Sequence, residues 1–185
     1  MLQSTLKLLG KNGFFDLTIE DVAAHAGVAK ATVYRWWPNK AALIADAFSS
    51  STGQKLDFPD TGSIRTDMSQ QMRQLVKIFR SRRGRIVSAI LGGGQSDPDL
   101  ITAFRNRFLI PRRRKAYSTL HRAIQRGELR GDVDLDLLLD ALYGPIYMRF
   151  LIRHDKLTPK FVNHLCELVL DGAAANQKRR SRGSA

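Results

Sequence analysis

Seven consecutive residues, "KATVYRW" at 30 to 36, bring together an ammonium, a hydroxyl, a phenol, a guanidinium and an indole N–H. All can donate hydrogen bonds, and as a set they suit phosphate oxygens and the acceptor edges of bases. Helical spacing divides the segment into two faces. Val33 and Trp37, four apart, share one face, leaving Lys30, Ala31, Thr32, Tyr34, Arg35 and Trp36 outside it. The paired tryptophans therefore separate, Trp37 toward a small core and Trp36 outward, where its N–H is available to a phosphate.

Other chemistries lack their parts. Cys166 is the single cysteine, which excludes an internal disulfide and any zinc site built on Cys pairs, and suits a reducing cytoplasm. His25, His121, His154 and His164 form neither an HxxxH nor an HxH pair, so no metal site is expected. No nucleophile–base pair is evident, and "LGGGQ" at 91 to 95 lacks the Lys-Ser/Thr of a phosphate-binding loop. Neither an enzyme nor a cofactor is expected.

The elements that must hold the donors follow from local signals. Thr18 is a natural N-cap, with Glu20 and Asp21 in the first turn of a short helix whose inner face carries Val22 and Ala26. Gly27 permits a tight turn, "AKATVYRWW" resumes helical spacing, and Pro38 stops it. Asn39 caps a further helix carrying Leu43, Ile44, Ala47 and Phe48. The stretch 18 to 40 thus has the parts of a helix-turn-helix, whose second helix presents its outer face to a major groove. Spacing alone leaves a second reading open, an ordinary helical hairpin with a basic face.

The whole chain of 185 residues reads as all-α, with no alternating apolar and polar run long enough for a strand. "SSSTGQKLDFPDTGS", 49 to 63, reads as a linker between an N-terminal domain, 1 to 48, and a larger helical domain, 64 to 175; 176 to 185 is a basic tail expected to be disordered. In the larger domain Ile64, Met68, Met72, Leu75 and Phe79 line one helix face, and Pro111 is expected to bend or interrupt a helix running on to Ile124. The longest apolar stretch, 137 to 152, is too short for a bilayer and contains Asp140, Pro145 and Arg149, so no membrane span is expected. Met1 to Asn12 has no small-residue cleavage site and is not read as a secretion signal.

Net charge is +13, and it is unevenly placed: residues 1 to 50 carry five Lys/Arg against four Asp/Glu, the remainder 25 against 13. The balance points to a polyanionic partner. It also leaves room for a nonspecific nucleic-acid packer driven by the C-terminal charge, and the helical architecture for a plain small-molecule binder.

"GFFDLTIEDVAAHAGVAKATVYRWWPNKAALIADAF", 13 to 48, resembles the DNA-binding domain of the tetracycline-repressor family of bacterial regulators. The matching features are Gly-Phe ahead of the Thr cap, the Val-Ala-x-x-Ala-Gly-Val turn, the Lys-x-Thr-x-Tyr-Arg reader and the Lys near the next helix start. "DPDLITAFRNRFLIPRR", "RGELRGDVD" and "LYGPIYMRFL" are similar, more loosely, to its ligand and dimerisation domain. The resemblance implies an all-helical homodimer that represses from a roughly palindromic double-stranded operator, with half-sites about one helical turn apart, until a small-molecule effector releases it. Residue by residue it implies that Thr18 contacts phosphate, that Lys30, Ala31 and Thr32 lie at the groove end, and that Arg35 reaches a guanine edge alongside Lys30. Tyr34, Trp36 and Lys40 would grip the backbone.

Two departures stand out. Many members have Ser where this chain has Ala29, which removes a capping hydroxyl from the reader; many also have a basic arm before the first helix, whereas Met1 stands almost inside it, so minor-groove contacts are not expected from the sequence as it stands. Effector-pocket candidates are Met72, Phe79, Phe104, Phe108, Tyr143, Tyr147 and Met148, each also suited to plain core. The segment 133 to 153 is apolar nearly all round and needs covering on more than one side; Leu142 and Ile146, with Phe161, Leu165 and Leu168 of the last helix, are the expected dimer interface.

Overall fold

The computed structural model describes residues 1–52 and 56–174. Part of the expected linker, 53 to 55, and the basic tail lie outside the described residues. The helices are α1 (Leu2–Asn12), α2 (Ile19–Ala26), α3 (Lys30–Trp36), α4 (Lys40–Thr52), α5 (Ile64–Phe79), α6 (Arg82–Gly93), α7 (Pro98–Phe104), a π-helical turn (Arg105–Leu109), α8 (Ile110–Gln125), α9 (Leu135–Ile152) and α10 (Pro159–Ala173). Among the described residues the only β pairing is an isolated bridge between Leu129 and Ala174, so the all-α expectation holds.

Two compact units result, one of Met1–Asp57 with Lys77–Arg113 and the other of Phe58–Val76 with the chain from Arg114. In the first, α4 is the central element. Ala41 to Ala45, Ala47 and Phe48 are all buried, and α4 packs on α1, on α7 and on the π-helical turn. The aromatic rings set that packing: Phe48 meets Phe108 at 4.8 Å and Phe104 at 5.8 Å between centroids. Phe104 and Phe108, candidates for a pocket wall, are therefore core of the unit that carries the reader. The helix runs into the segment read as linker, as far as Thr52, and there the Ser51 and Thr52 hydroxyls both donate to the Phe48 carbonyl, at 2.9 and 2.7 Å.

The break near Pro111 falls earlier than the proline itself. Ile110 N–H bonds the Arg105 carbonyl five residues back, making the π-helical turn. Pro111 has no N–H to offer the Arg107 carbonyl, and that carbonyl instead accepts the Ser49 hydroxyl of α4 at 3.0 Å. A sequence-local defect thus becomes a tertiary contact.

In the second unit the stripe Ile64, Met68, Met72, Leu75 of α5 is buried as its spacing predicts, as are Leu138, Leu139, Leu142 and Ile146 of α9 and Val162, Leu165, Cys166 and Leu170 of α10. α9 stays helical through Pro145. Here the expected dimer interface needs correction. Leu142 and Ile146 are fully buried within the chain's own core and Leu165 nearly so, because α9 turns that face onto its own unit. Phe161 is half-buried, with the Arg149 guanidinium 3.7 Å from its ring centre. Leu168, 76% exposed, is the expected interface residue that does stand in solvent.

The pocket candidates are divided between the two units. Phe79, Phe104 and Phe108 belong to the first unit and Met72, Tyr143, Tyr147 and Met148 to the second. Met148 is 60% exposed, too open for plain core. Tyr143 donates to the buried Gln71, a polar tie between α9 and α5.

Candidate nucleic-acid interface

The reader is held by local chemistry on both sides of its turn. Thr18 accepts the Asp21 N–H at 3.0 Å while Asp21 accepts the Thr18 N–H at 3.2 Å, a reciprocal capping box that starts α2. Gly27 closes it in the left-handed conformation, φ 66° and ψ 34°, and the bonds from Gly27 N–H to Ala24 O and from Val28 N–H to Ala23 O complete a Schellman turn. Ile19, Val22 and Ala23 form the inner face, one step round from the expected Val22 and Ala26 pair.

The reader α3 is only seven residues long. Its N-cap is Ala29, which makes no side-chain cap bond, so the missing hydroxyl is a real deficit in the structure. Val33 is its buried anchor. Ala31, Tyr34 and Arg35 are exposed and Thr32 half-buried, while Trp36 is 65% exposed. The helix therefore leaves Lys30, Ala31, Tyr34, Arg35 and Trp36 in solvent as the spacing predicts, while Thr32, also expected outside, is half-buried. Two of its cations lie near neighbouring rings, Lys30 at 5.6 Å from the Tyr34 centroid and Arg35 at 5.8 Å from that of Trp36.

Four residues behave differently from a bare donor set. Lys30 is ion-paired with Glu20 of α2; the shared hydrogen bond lowers the Glu20 carboxyl below its usual range and raises the Lys30 ammonium above its own. Lys40 donates to the Phe14 carbonyl at 2.8 Å, which fixes it in the first unit. Trp37 lies just past α3 in extended conformation, half-buried, its indole N–H donating to Asp46 at 2.8 Å. It is anchored as expected, but by a hydrogen bond as much as by packing. The Thr18 hydroxyl donates to Asp21 at 2.6 Å, so its donor is already committed to the cap.

Sequence reasoning missed Glu20 as the partner of Lys30, Phe14 as that of Lys40, and Asp46. It also missed Phe15, 69% exposed on the strap ahead of Thr18. The only sequence signal for these was an acidic residue ten positions before a lysine across a glycine turn.

A capped helix, a glycine turn and a short helix with its donors turned outward, all carried on a buried scaffold helix, define a helix-turn-helix DNA-binding regulator. The model of bacterial regulatory proteins of the tetR family matches residues 1–47, and that of the tetracyclin repressor-like C-terminal domain matches 58–169. The chain belongs to the TetR family of transcriptional regulators. It is 38% identical over 181 residues to the HTH-type transcriptional regulator YdeS of Bacillus subtilis, covering 98% of this chain and 91% of YdeS. It is 30% identical over 173 residues to the DNA-binding transcriptional repressor TetR of Mycobacteroides abscessus, covering 92% and 90%. Among solved structures, the TetR family transcription regulator SCO0332 aligns with a TM-score of 0.80 at 38% identity, over 94% of this chain and 96% of that one. The fold also matches Bacillus subtilis FadR in complex with stearoyl-CoA, TM-score 0.74 at 18% identity, over 92% and 96%. No helix among the described residues is long and apolar enough to cross a membrane.

Proposed function

We propose that this regulator acts in the cytoplasm as a homodimeric repressor on a roughly palindromic operator and is released by a small-molecule effector. The observation that carries the reading is the outward face of α3, where Lys30, Ala31, Tyr34, Arg35 and Trp36 stand in solvent. In this reading Lys30, with Thr32 beside it, and Arg35 address base edges, while Tyr34, Trp36 and the exposed start of α2 at Thr18 take phosphates. Lys40 supports them by fixing the strap at Phe14 and Phe15. The Glu20 pair means that Lys30 exchanges one anion for another on binding, which favours a well-placed acceptor over diffuse charge.

Dimerisation is supported by Leu137, Met148, Leu151 and Ile152 of α9 and Leu168 of α10, all exposed. On α9 they follow one another at helical spacing along a single stripe, which also carries the exposed Gly144. Such a stripe marks a protein–protein surface, and two readers on one two-fold assembly fit two half-sites. An effector acts by binding two arrangements of the dimer unequally.

The test is a gel shift with the DNA flanking its own gene. Binding that survives competitor DNA and is lost in Lys30→Ala or Tyr34→Ala supports the reading; affinity that follows salt alone, without sequence preference, defeats it in favour of a nonspecific packer. A thermal-shift screen of small molecules against the same protein identifies the effector class.

A further inference from the structure

One carboxylate oxygen joins the end of the reader to the π-helical turn. Asp46 Oδ2 on α4 accepts the Trp37 indole N–H at 2.8 Å and is also the ion-pair partner of Arg107 Nη1. Trp37 is the residue after α3, and Arg107 is the middle residue of the turn Arg105–Leu109. Arg107 is tied to α4 twice, since its own carbonyl accepts the Ser49 hydroxyl at 3.0 Å. Pro111, four residues on, has no N–H to offer that carbonyl, and the Ser49 hydroxyl is a donor it does have.

Why the reader needs such a hold follows from its size. An isolated helix of seven residues is unstable in water, so its orientation depends on its anchors. It has no side-chain N-cap, one buried side chain in Val33, and at its first residue an exposed ion pair to Glu20, a weak constraint in solvent. Trp37 adds a hydrogen-bonded anchor at the other end of the helix, and its indole is only as well placed as the carboxylate it bonds. A half-exposed aspartate with a single neutral donor has freedom about its side-chain torsions. A guanidinium on the same oxygen, in a pair less exposed than that of Lys30 and Glu20, restricts it with a charge-assisted contact.

We propose that Arg107 and Asp46 are positioning residues for operator reading: the guanidinium orients the carboxylate, and the carboxylate fixes the C-terminal end of α3 through Trp37. The effect is carried within one compact unit, from a turn far along the chain to the DNA-facing helix. The proposal rests on the DNA-reading role of α3, and its first measurement uses no DNA, so the two can fail separately.

That measurement is the indole N–H region of a proton–nitrogen correlation spectrum of the 15N-labelled full chain, which contains two tryptophan signals. The Trp36 signal is assigned by its loss in Trp36→Phe. Arg107→Met moves the Trp37 signal and leaves that of Trp36 in place; Arg107→Lys restores most of the shift; and in an Asp46→Asn background Arg107→Met moves nothing further. The second measurement is equilibrium binding to a duplex selected by the parent protein from a randomised library. Arg107→Met weakens it about fivefold or more, with an unchanged slope of log affinity against log salt. A Trp37 signal unmoved by Arg107→Met overturns the proposal, as does the same shift appearing without the Asp46 carboxylate. A salt slope reduced by about one unit also overturns it, by making Arg107 a phosphate contact. Should Arg107→Met not fold by circular dichroism, Arg107→Gln is read by the same criteria.

Discussion

The ammonium of Lys40 donates to the Phe14 carbonyl at 2.8 Å and lies 4.2 Å from the centre of the Phe14 ring. Gly93 of α6 leaves room for that ring, since a Cβ there would stand 2.6 Å from Phe14. Lys40 therefore closes the strap between α1 and α2 onto the start of α4. Lys40→Met is expected to lower the unfolding free energy by about 1.5 to 3 kcal/mol, the range for a hydrogen bond to a charged group. Urea denaturation measures it. Because the ammonium is already engaged, the salt slope of DNA binding should change less than in Lys30→Ala; an equal change would make Lys40 a phosphate contact of the same rank.

The two tryptophans give unequal outcomes. Trp36→Ala should leave the melting temperature within the scatter of surface substitutions, about 0.5 kcal/mol, while weakening DNA binding. Trp37→Phe keeps a ring and loses the bond to Asp46, costing about 1 kcal/mol. Trp37→Ala should cost about 2 to 3 kcal/mol, less than truncation of a fully buried ring, because Trp37 is half-buried. Paired urea melts decide this, and equal losses for Trp36→Ala and Trp37→Ala would defeat the assignment.

What the sequence made legible was local. The Thr18 cap, the Gly27 turn and the Asn39 cap are each carried by a residue acting within three or four positions; Asn39 indeed accepts the Ala42 N–H at 2.9 Å. The outward Trp36 followed from helical spacing alone. Partners across the fold were not legible. Nothing in the spacing pairs Trp37 with Asp46, or sets Phe48 against Phe104 and Phe108 from a later helix. The dimer face failed for a different reason: a helix apolar nearly all round carries no mark of which side its own unit covers. Leu142 and Ile146 were as suitable as Leu137 and Met148 until packing chose between them.

That choice gives a pair of variants with opposite failures. Leu142→Glu places an unpaired charge in the core and should unfold the second unit, a loss of more than about 4 kcal/mol. Leu168→Glu and Met148→Glu place charges on the exposed faces of α10 and α9 and should leave the chain folded while splitting the proposed dimer. Sedimentation velocity with circular dichroism separates the cases. A dimer that survives Leu168→Glu and Met148→Glu together would remove this surface from consideration.

Cys166 offers a probe of the second unit's opening. It is buried beside Met72, 3.3 Å from the thioether sulfur, and burial pushes its thiol up to about 11 from 9.0. In the folded chain it should resist alkylation at pH 8, where a denatured chain reacts, because the thiolate is the nucleophile and access is closed. The folded state holds the proton more tightly than the unfolded one, so this contribution to stability is complete below about pH 9 and is lost as pH rises toward 11. Other groups titrate there, so the measurement is the difference between the parent and Cys166→Ala, whose decline over that range should be shallower. Identical pH profiles would remove the thiol from the account.

The reader can be strengthened at one position. Ala29 precedes α3 with φ −68° and ψ 143°, in the extended region that N-cap residues adopt, and no side chain bonds the first turn's N–H groups. A serine there needs no backbone change. Ala29→Ser should stabilise the first unit by about 0.5 to 2 kcal/mol, seen as a higher urea midpoint at unchanged m-value. If α3 is only partly formed in the absence of DNA, the same substitution also removes part of the ordering cost of binding, and affinity for the operator rises with stability. If α3 is fully formed beforehand, stability rises alone. Measuring both on one variant distinguishes a reader that completes its folding on the groove from one that arrives already built.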